Sequence, residues 1–412
     1  MRSTKPESIE NLNSMKTIII ITNGTLPVPP VNGGAVENLI QTFLDINETT
    51  NDFKFIVFSV SNTKALSLSI AYKNTQYIFI ESETIFYKIG RAVRFIINKL
   101  RDNTISNQFI YEILKYKKIF LSTDMVLIEN NPSYSSYIRK ITNKPIGLHL
   151  HNDYLNIDTK IWSSKVLCNL NFVVGVSNYI KNRVSEIAPD HCKVDFVYNG
   201  MNLNRFGSPD PIIDNKIFTK KYGIEDDEIV ILFAGRLQET KGIKLLIEAF
   251  IDISEIYNAK LLIVGSSGFR GSKKNKFIKQ LEELSRAVVN KIIFTGYIEY
   301  SEIHHIYNLA DFAVFPSLSP EAFPLTTIEA LASGLPVIIT DVGGMPETVN
   351  EKCGIVIRTG AEIKEELKKE MVKLIVDSKL RKKMSIEAKK HARNFNEHTY
   401  FQSLSSVLKS FL

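Results

Sequence analysis

KTIIIIT, residues 16–22, runs into a Pro/Gly-rich loop at Gly24–Gly34 and then into a helical pattern at Ala35–Leu44. A short β-branched run closed by turn residues reads as a strand, and strand, loop, helix is the opening of a Rossmann-like half. Six more strand candidates follow: Phe53–Ser59, Gln76–Ile80, Met125–Glu129, Ile146–His151, Phe172–Val176 and Val194–Val197. Helical patterns separate several of them. Such alternation predicts a parallel sheet covered by helices on both faces.

A second series begins after about residue 205. Ile229–Phe233, Lys260–Val264, Lys291–Thr295, Phe312–Phe315, Pro336–Thr340 and Gly354–Ile357 have the same character. The expected fold class is therefore α/β, with two Rossmann-like doubly wound domains facing a cleft. Residues 1–14 form a polar extension and residues 15–204 the N-terminal domain. Residues 205–394 form the C-terminal domain, and residues 395–412 a last helix that crosses back to the N-terminal one. Asn202–Asp227, rich in Pro, Asp, Asn and Gly, reads as the linker.

The bulk numbers fit this division. A chain of 412 residues is long enough for two domains, and 44% hydrophobic with 23% charged residues suits a large buried core. A net charge of +7 is modest for this length, and no zinc-finger or RNP-type pattern accompanies it, so no nucleic-acid partner is expected. It suits anionic partners such as nucleotide sugars or anionic lipid. Three scattered cysteines without a CxxC pair argue against a disulfide framework and fit a reducing compartment. No apolar stretch is long enough to span a bilayer, and the first fourteen residues lack a signal-peptide core. The expected location is cytoplasmic, at the inner face of the membrane. Residues 85–101, IFYKIGRAVRFIINKLR, drawn as a helix, carry apolar residues on one face and Lys88, Arg91, Arg94, Lys99 and Arg101 on the other. That pattern suits peripheral membrane contact, and also an ordinary domain helix with its apolar side in the core, which is the commoner case.

In open α/β sheets ligands bind beyond the carboxyl ends of the strands. Three segments there carry chemistry. FPSLSPEAFPLTTIEALASGLPVIITDVGGMPE, residues 315–347, places Glu321 in a loop and Glu329 on a helix that starts near Leu325. The free N–H groups of Leu325, Thr326 and Thr327 would face phosphate at the positive end of that helix. The two carboxylates would accept hydrogen bonds from sugar and ribose hydroxyls. GRLQETKG, residues 235–242, sets Arg236 and Lys241 on a strand-to-helix turn, where two cations would neutralise a diphosphate leaving group. In LPVPPVNGGAVE, Gly33 and Gly34 let the backbone approach a ligand closely. It is not GxGxxG, so no dinucleotide site is assigned. Taken singly, the first two segments also read as a helix-capping loop and a solvated charged turn.

The order GGxxE, VYNGMNLNRF, GRLxxxKG, ExFPLxxxEAxASGxPVI and GGMPE resembles glycosyltransferase family 4, over nearly the whole chain from residue 15. The resemblance implies the GT-B fold and a retaining transferase of the bacterial polysaccharide-building branch. Its donor would be a UDP- or GDP-sugar, and its acceptor a glycan or a lipid-linked species held by the N-terminal domain. It implies that Arg236 and Lys241 hold the donor diphosphate, and that Glu321 contacts the sugar and Glu329 the ribose. Leu325 and Thr326 would offer backbone N–H groups, Gly34 would line the cleft, and Tyr297 and Ile298 would receive the base. Pro324 departs from the glycine common at that position and brings no N–H.

His149 and His151 end the strand IGLHLH on one face. His151 is the better match to a family histidine at the donor sugar and is expected to be catalytic, with Asp153 orienting its ring. No DxD triplet lies in a suitable loop, so no metal and no cofactor is expected. Two rival readings share the architecture: a nucleotide-sugar 2-epimerase, and a non-catalytic binding or coat protein. The set Arg236, Lys241, Glu321 and Glu329 argues against both.

Overall fold

Every second residue of the first strand belongs to a different core. Ile18 and Ile20 pack into one apolar cluster and Ile19 and Ile21 into another, so an unbroken run of isoleucine is the pattern that a strand covered on both faces requires. The computed structural model describes residues 15–31, 33–81, 89–90, 108–207, 215–266 and 276–412. Among these, the first half contains β1 (Lys16–Ile21), β2 (Phe53–Val60), β3 (Thr75–Ile80), β4 (Met125–Glu129), β5 (Ile146–Leu150), β6 (Phe172–Gly175) and β7 (Lys193–Phe196). They form one sheet in the order β3-β2-β1-β4-β5-β6-β7. The second half contains β8 (Ile229–Ala234), β9 (Ala259–Val264), β10 (Ile292–Gly296), β11 (Phe312–Phe315), β12 (Val337–Thr340) and β13 (Gly354–Ile357). Their order is β10-β9-β8-β11-β12-β13.

All pairings within both sheets are parallel. Each sheet reverses its strand order once, between β1 and β4 and between β8 and β11. Those two switch points are where crevices open at the carboxyl ends. The expected α/β class with two Rossmann-like units is what the chain adopts. It is the GT-B architecture.

Two parts of the stretch read as a linker are helical. Asn204–Gly207 and Asn215–Lys221 are short helices. Phe206 of the first is fully buried beside Tyr307, which pins that helix.

The last helix, Glu397–Lys409, returns to the first half. Phe401 meets Phe43 with ring centroids 4.9 Å apart, and Phe411 stacks on Phe172 at 4.1 Å. Phe401, Leu404 and Leu408 are buried in the cluster that also covers β1 and β2. Each such side chain contributes roughly 1.5–3 kcal/mol by burial. The chain thus passes between the halves twice, near Met201 and near Asn396. Met201 N–H donates to Phe395 O at 3.0 Å, so the two crossings lie side by side. The three cysteines are free thiols. Among the described residues no helix is long and apolar enough to cross a membrane. Residues 85–101 fall outside the described residues except for Ile89 and Gly90.

Candidate functional site

A cleft of about 500 Å³ lies where the carboxyl ends of the two sheets face each other. Gly34 and His151 border it from the first half. Arg236, Lys241, Tyr297, Ile298, Glu321, Leu325, Thr326 and Glu329 border it from the second. These ten of the positions singled out from the sequence therefore stand on one cleft, whereas Thr327, His149 and Asp153 do not border it.

Close backbone packing builds its cationic corner. β8 ends at Ala234, Arg236 follows with an exposed side chain, and Lys241 closes the single turn Glu239–Lys241. Gly242 (φ 67°) lets this turn sit directly on the loop after β11, because a Cβ there would lie 1.8 Å from Pro316 O. The contact brings Lys241 Nζ to Glu321 Oε1, to which it donates a hydrogen bond. Ser317 Oγ donates to the same oxygen at 2.9 Å. The Glu321 backbone is clasped in turn by the GGMPE segment. Gly344 N–H donates to Glu321 O at 2.7 Å, and a Cβ on Gly343 (φ 61°) would lie 2.4 Å from that oxygen.

The helix Leu325–Ala332 starts at the floor of the cleft with no side-chain cap. Three free N–H groups were expected there. Thr327 N–H instead donates to Pro324 O at 3.3 Å, leaving Leu325 and Thr326 unbonded among the described residues. Glu329, one turn on, is buried and accepts from Tyr307 Oη at 2.7 Å. Burial pushes its carboxyl up to about 7, against the opposing pull of Tyr307 and Arg205.

From the first half, Gly34 (φ 109°) precedes the helix Ala35–Thr50, and a Cβ there would strike Glu37 Oε2 at 2.2 Å. Glu37 is itself buried and accepts from Asn23 Nδ2 at 3.1 Å; burial raises its carboxyl. His149 and His151 share a face, as strand alternation requires, and Glu129 stands between them. His149 Nδ1 and His151 Nε2 each lie 3.2 Å from Glu129 Oε2. Burial alone would raise the Glu129 carboxyl, but the two imidazoles reverse this and hold it at about 2. Burial lowers His151 to about 4. Asp153 does not orient the ring. It accepts from Tyr179 Oη at 2.8 Å and pairs with Arg183 at 3.1 Å. Glu129, His149 and His151 are also a set of ligand-type side chains, with one atom of each within 4.8 Å of the others. Their separations are those of a carboxylate accepting from two ring N–H groups.

Glu129 and Glu347 escaped the sequence reading. Glu129 ends VLIE, and a polar residue at the carboxyl end of a buried strand was the available signal. Glu347, in GGMPE, reaches across the halves. Its carboxylate accepts from Asn178 N–H at 2.8 Å and Tyr179 N–H at 2.7 Å, at the start of the helix Asn178–Ser185. A second, wider cavity of about 1,130 Å³ opens in the first half. Asn130, Asp153, Tyr154, Ile157, Ile161 and Trp162 are among its walls.

The family model for glycosyl transferases group 1 matches residues 214–391. The putative glycosyltransferase YtcC of Bacillus subtilis (strain 168) is 30% identical over 410 residues, which is 97% of this chain and 93% of that protein. The capsular polysaccharide biosynthesis glycosyltransferase CapM of Staphylococcus aureus is 29% identical over 249 residues, covering 58% of this chain and 62% of that one. Anabaena HepE, crystallised with UDP and glucose, superposes with a TM-score of 0.72 at 18% identity, over 96% of this chain and all 100% of that one. At that identity the likeness is one of fold.

Proposed function

The chain belongs to the group 1 glycosyltransferases, and from that premise we propose that it is a retaining enzyme of the family 4 type, moving a sugar from a nucleoside diphosphate donor to a glycan or lipid-linked acceptor. One observation carries this reading. Two cations, an uncapped helix start, two carboxylates and a histidine from the opposite half converge on one cleft.

The donor diphosphate lies against Arg236, Lys241 and the N–H groups of Leu325 and Thr326, where negative charge grows as the sugar leaves. Lys241 exchanges Glu321 for phosphate, and Glu321 is freed to accept from sugar hydroxyls. Glu329 accepts from the ribose, and Tyr297 and Ile298 border the base. His151 faces the sugar from the first half. The acceptor hydroxyl attacks on the face the nucleotide leaves, so the bond from C1 to the acceptor oxygen forms as the bond from C1 to the phosphate oxygen breaks. That phosphate oxygen takes the proton. The acceptor occupies the wider cavity of the first half, whose exposed Tyr154 and amide side chains suit a glycan. The name of CapM favours a surface polysaccharide as product. Protein cations replace a divalent ion in this scheme, and residues 85–101 hold the enzyme at the cytoplasmic membrane face.

Thermal-shift measurement with UDP, GDP and their sugars tests the donor, since a ligand of the folded state raises its melting temperature. A stabilising nucleotide is expected, and none at millimolar concentration would remove the donor reading. NMR of the product anomer then tests retention, and an inverted centre would end it.

A further inference from the structure

β4 and β5 are neighbours at the centre of the first sheet, in register Glu129 to His149. Residues two apart on a strand share a face, so His151 turns to the same carboxylate. Glu129 and His149 are buried, and His151 is nearly so. An ionised carboxylate can only accept, so the His151 Nε2 facing it at 3.2 Å carries a hydrogen. A neutral imidazole has one N–H, which leaves the lone pair on Nδ1. His151 borders the cleft, and its Nδ1 bonds to none of the described residues. The backbone is fixed as well. Asn130 Oδ1 accepts from His151 N–H at 3.1 Å and from Asn152 Nδ2 at 3.2 Å.

We infer that Glu129 is a positioning residue for sugar transfer: by accepting from Nε2–H it fixes His151 in the tautomer whose Nδ1 accepts a hydrogen bond from a donor-sugar hydroxyl. The inference rests on reading His151 as the residue that meets the sugar. The opposite tautomer would aim an N–H at that hydroxyl's lone pairs. A protonated ring would set a positive charge beside an anomeric carbon that is itself becoming positive. Glu129 holds His149 Nδ1 by its other oxygen, Oε1, at 3.4 Å, and the Tyr400 ring lies nearly parallel to His149 at 6.3 Å. The carboxylate therefore cannot swing away without breaking two bonds.

The test is nitrogen-15 NMR of the histidines in the full chain, with the His151 signals assigned by their loss in His151→Ala. Native His151 should show the Nε2–H form alone. Glu129→Leu removes the acceptor and should give mixed tautomers, with kcat lower by about 10- to 100-fold, as for other partners that orient an imidazole. Its nucleotide Kd should stay unchanged. Glu129→Gln keeps an acceptor oxygen and should recover part of the loss. In a His151→Ala background, Glu129→Gln should cost nothing further. An Nδ1–H form in the native protein overturns the inference. So does a Glu129→Leu enzyme with parental kcat, or a stoichiometric divalent ion on the three side chains. If the Leu variant fails to fold, the native tautomer decides. Full turnover in His151→Ala would instead sink the reading of His151 itself and leave the tautomer result standing.

Discussion

Donor affinity should follow the ionisation of one buried carboxylate. Glu329 sits under the cleft with Tyr307 Oη donating to it, and burial lifts it from the ordinary 4.5 to about 7. A carboxylate that accepts from both ribose hydroxyls, one with each oxygen, must be ionised. With a midpoint of about 7, roughly one molecule in eleven is ready at pH 6 and roughly ten in eleven at pH 8. Affinity should therefore rise about 10-fold over that interval, ~1.4 kcal/mol. Calorimetric titration with an intact nucleoside diphosphate sugar measures this, since the doubly esterified diphosphate keeps its charge throughout. Glu329→Gln should flatten the profile and bind weakly at both pH values, whereas Glu321→Ala should keep the slope. Stability runs the other way. The folded chain holds this proton more tightly than the unfolded chain. The stabilisation is complete below about pH 4.5 and is lost as pH rises through about 7, on the order of 3 kcal/mol in all. The melting temperature of the Gln variant should gain on the parent as pH rises. A pH-independent parental affinity, matched by the Gln variant, would refute the ribose assignment.

Arg236→Ala and Lys241→Ala should each lower kcat by about 10²-fold or more at unchanged melting temperature, because each removes charge stabilisation at the leaving diphosphate. Steady-state kinetics with saturating donor reads this directly, and near-native turnover in both would remove the cation assignment. Glu347→Ala frees two N–H groups at the start of the helix Asn178–Ser185 and should cost about 1 kcal/mol. Hydrogen exchange at Asn178 and Tyr179 should accelerate, and unchanged protection would show the contact idle. Liposome co-sedimentation should be stronger with anionic than with neutral lipid, each basic residue near the surface contributing about 1 kcal/mol. Equal sedimentation would exclude residues 85–101 as a membrane contact.

Most of the thirteen strands among the described residues were legible because they are short apolar runs, buried on both faces as in β4 and β5, which a sequence shows directly; the edge strand β7, KVDF, alternates between exposed and half-buried positions. Within Asn202–Asp227, turn-rich composition gave no sign of the short helix Asn204–Gly207, where Phe206 is buried against Tyr307. The cleft residues were legible because they follow strand ends. Their partners were not. Glu129 meets the histidines only because β4 lies beside β5, a pairing of residues twenty positions apart that no local pattern announces. Asp153 misled for the opposite reason: it is close to His151 in sequence, yet Tyr179 and Arg183 claim it. Thr327 shows a finer limit, since one backbone bond back to Pro324 removes a donor that a helix start appears to offer.

The returning helix bears on how the protein is made. Domains usually fold as units in the order in which they leave the ribosome. Here Tyr400, Phe401, Leu404 and Leu408 complete an apolar layer over β1 and β2, and they follow the whole second half in chain order. The first half therefore waits, with one flank of its core open to water and to chaperones, until the second half has been made. The strands β8 to β13 need no such return, since they all precede the helix that comes back. The half whose sheet is synthesised first is thus the one whose core is completed last.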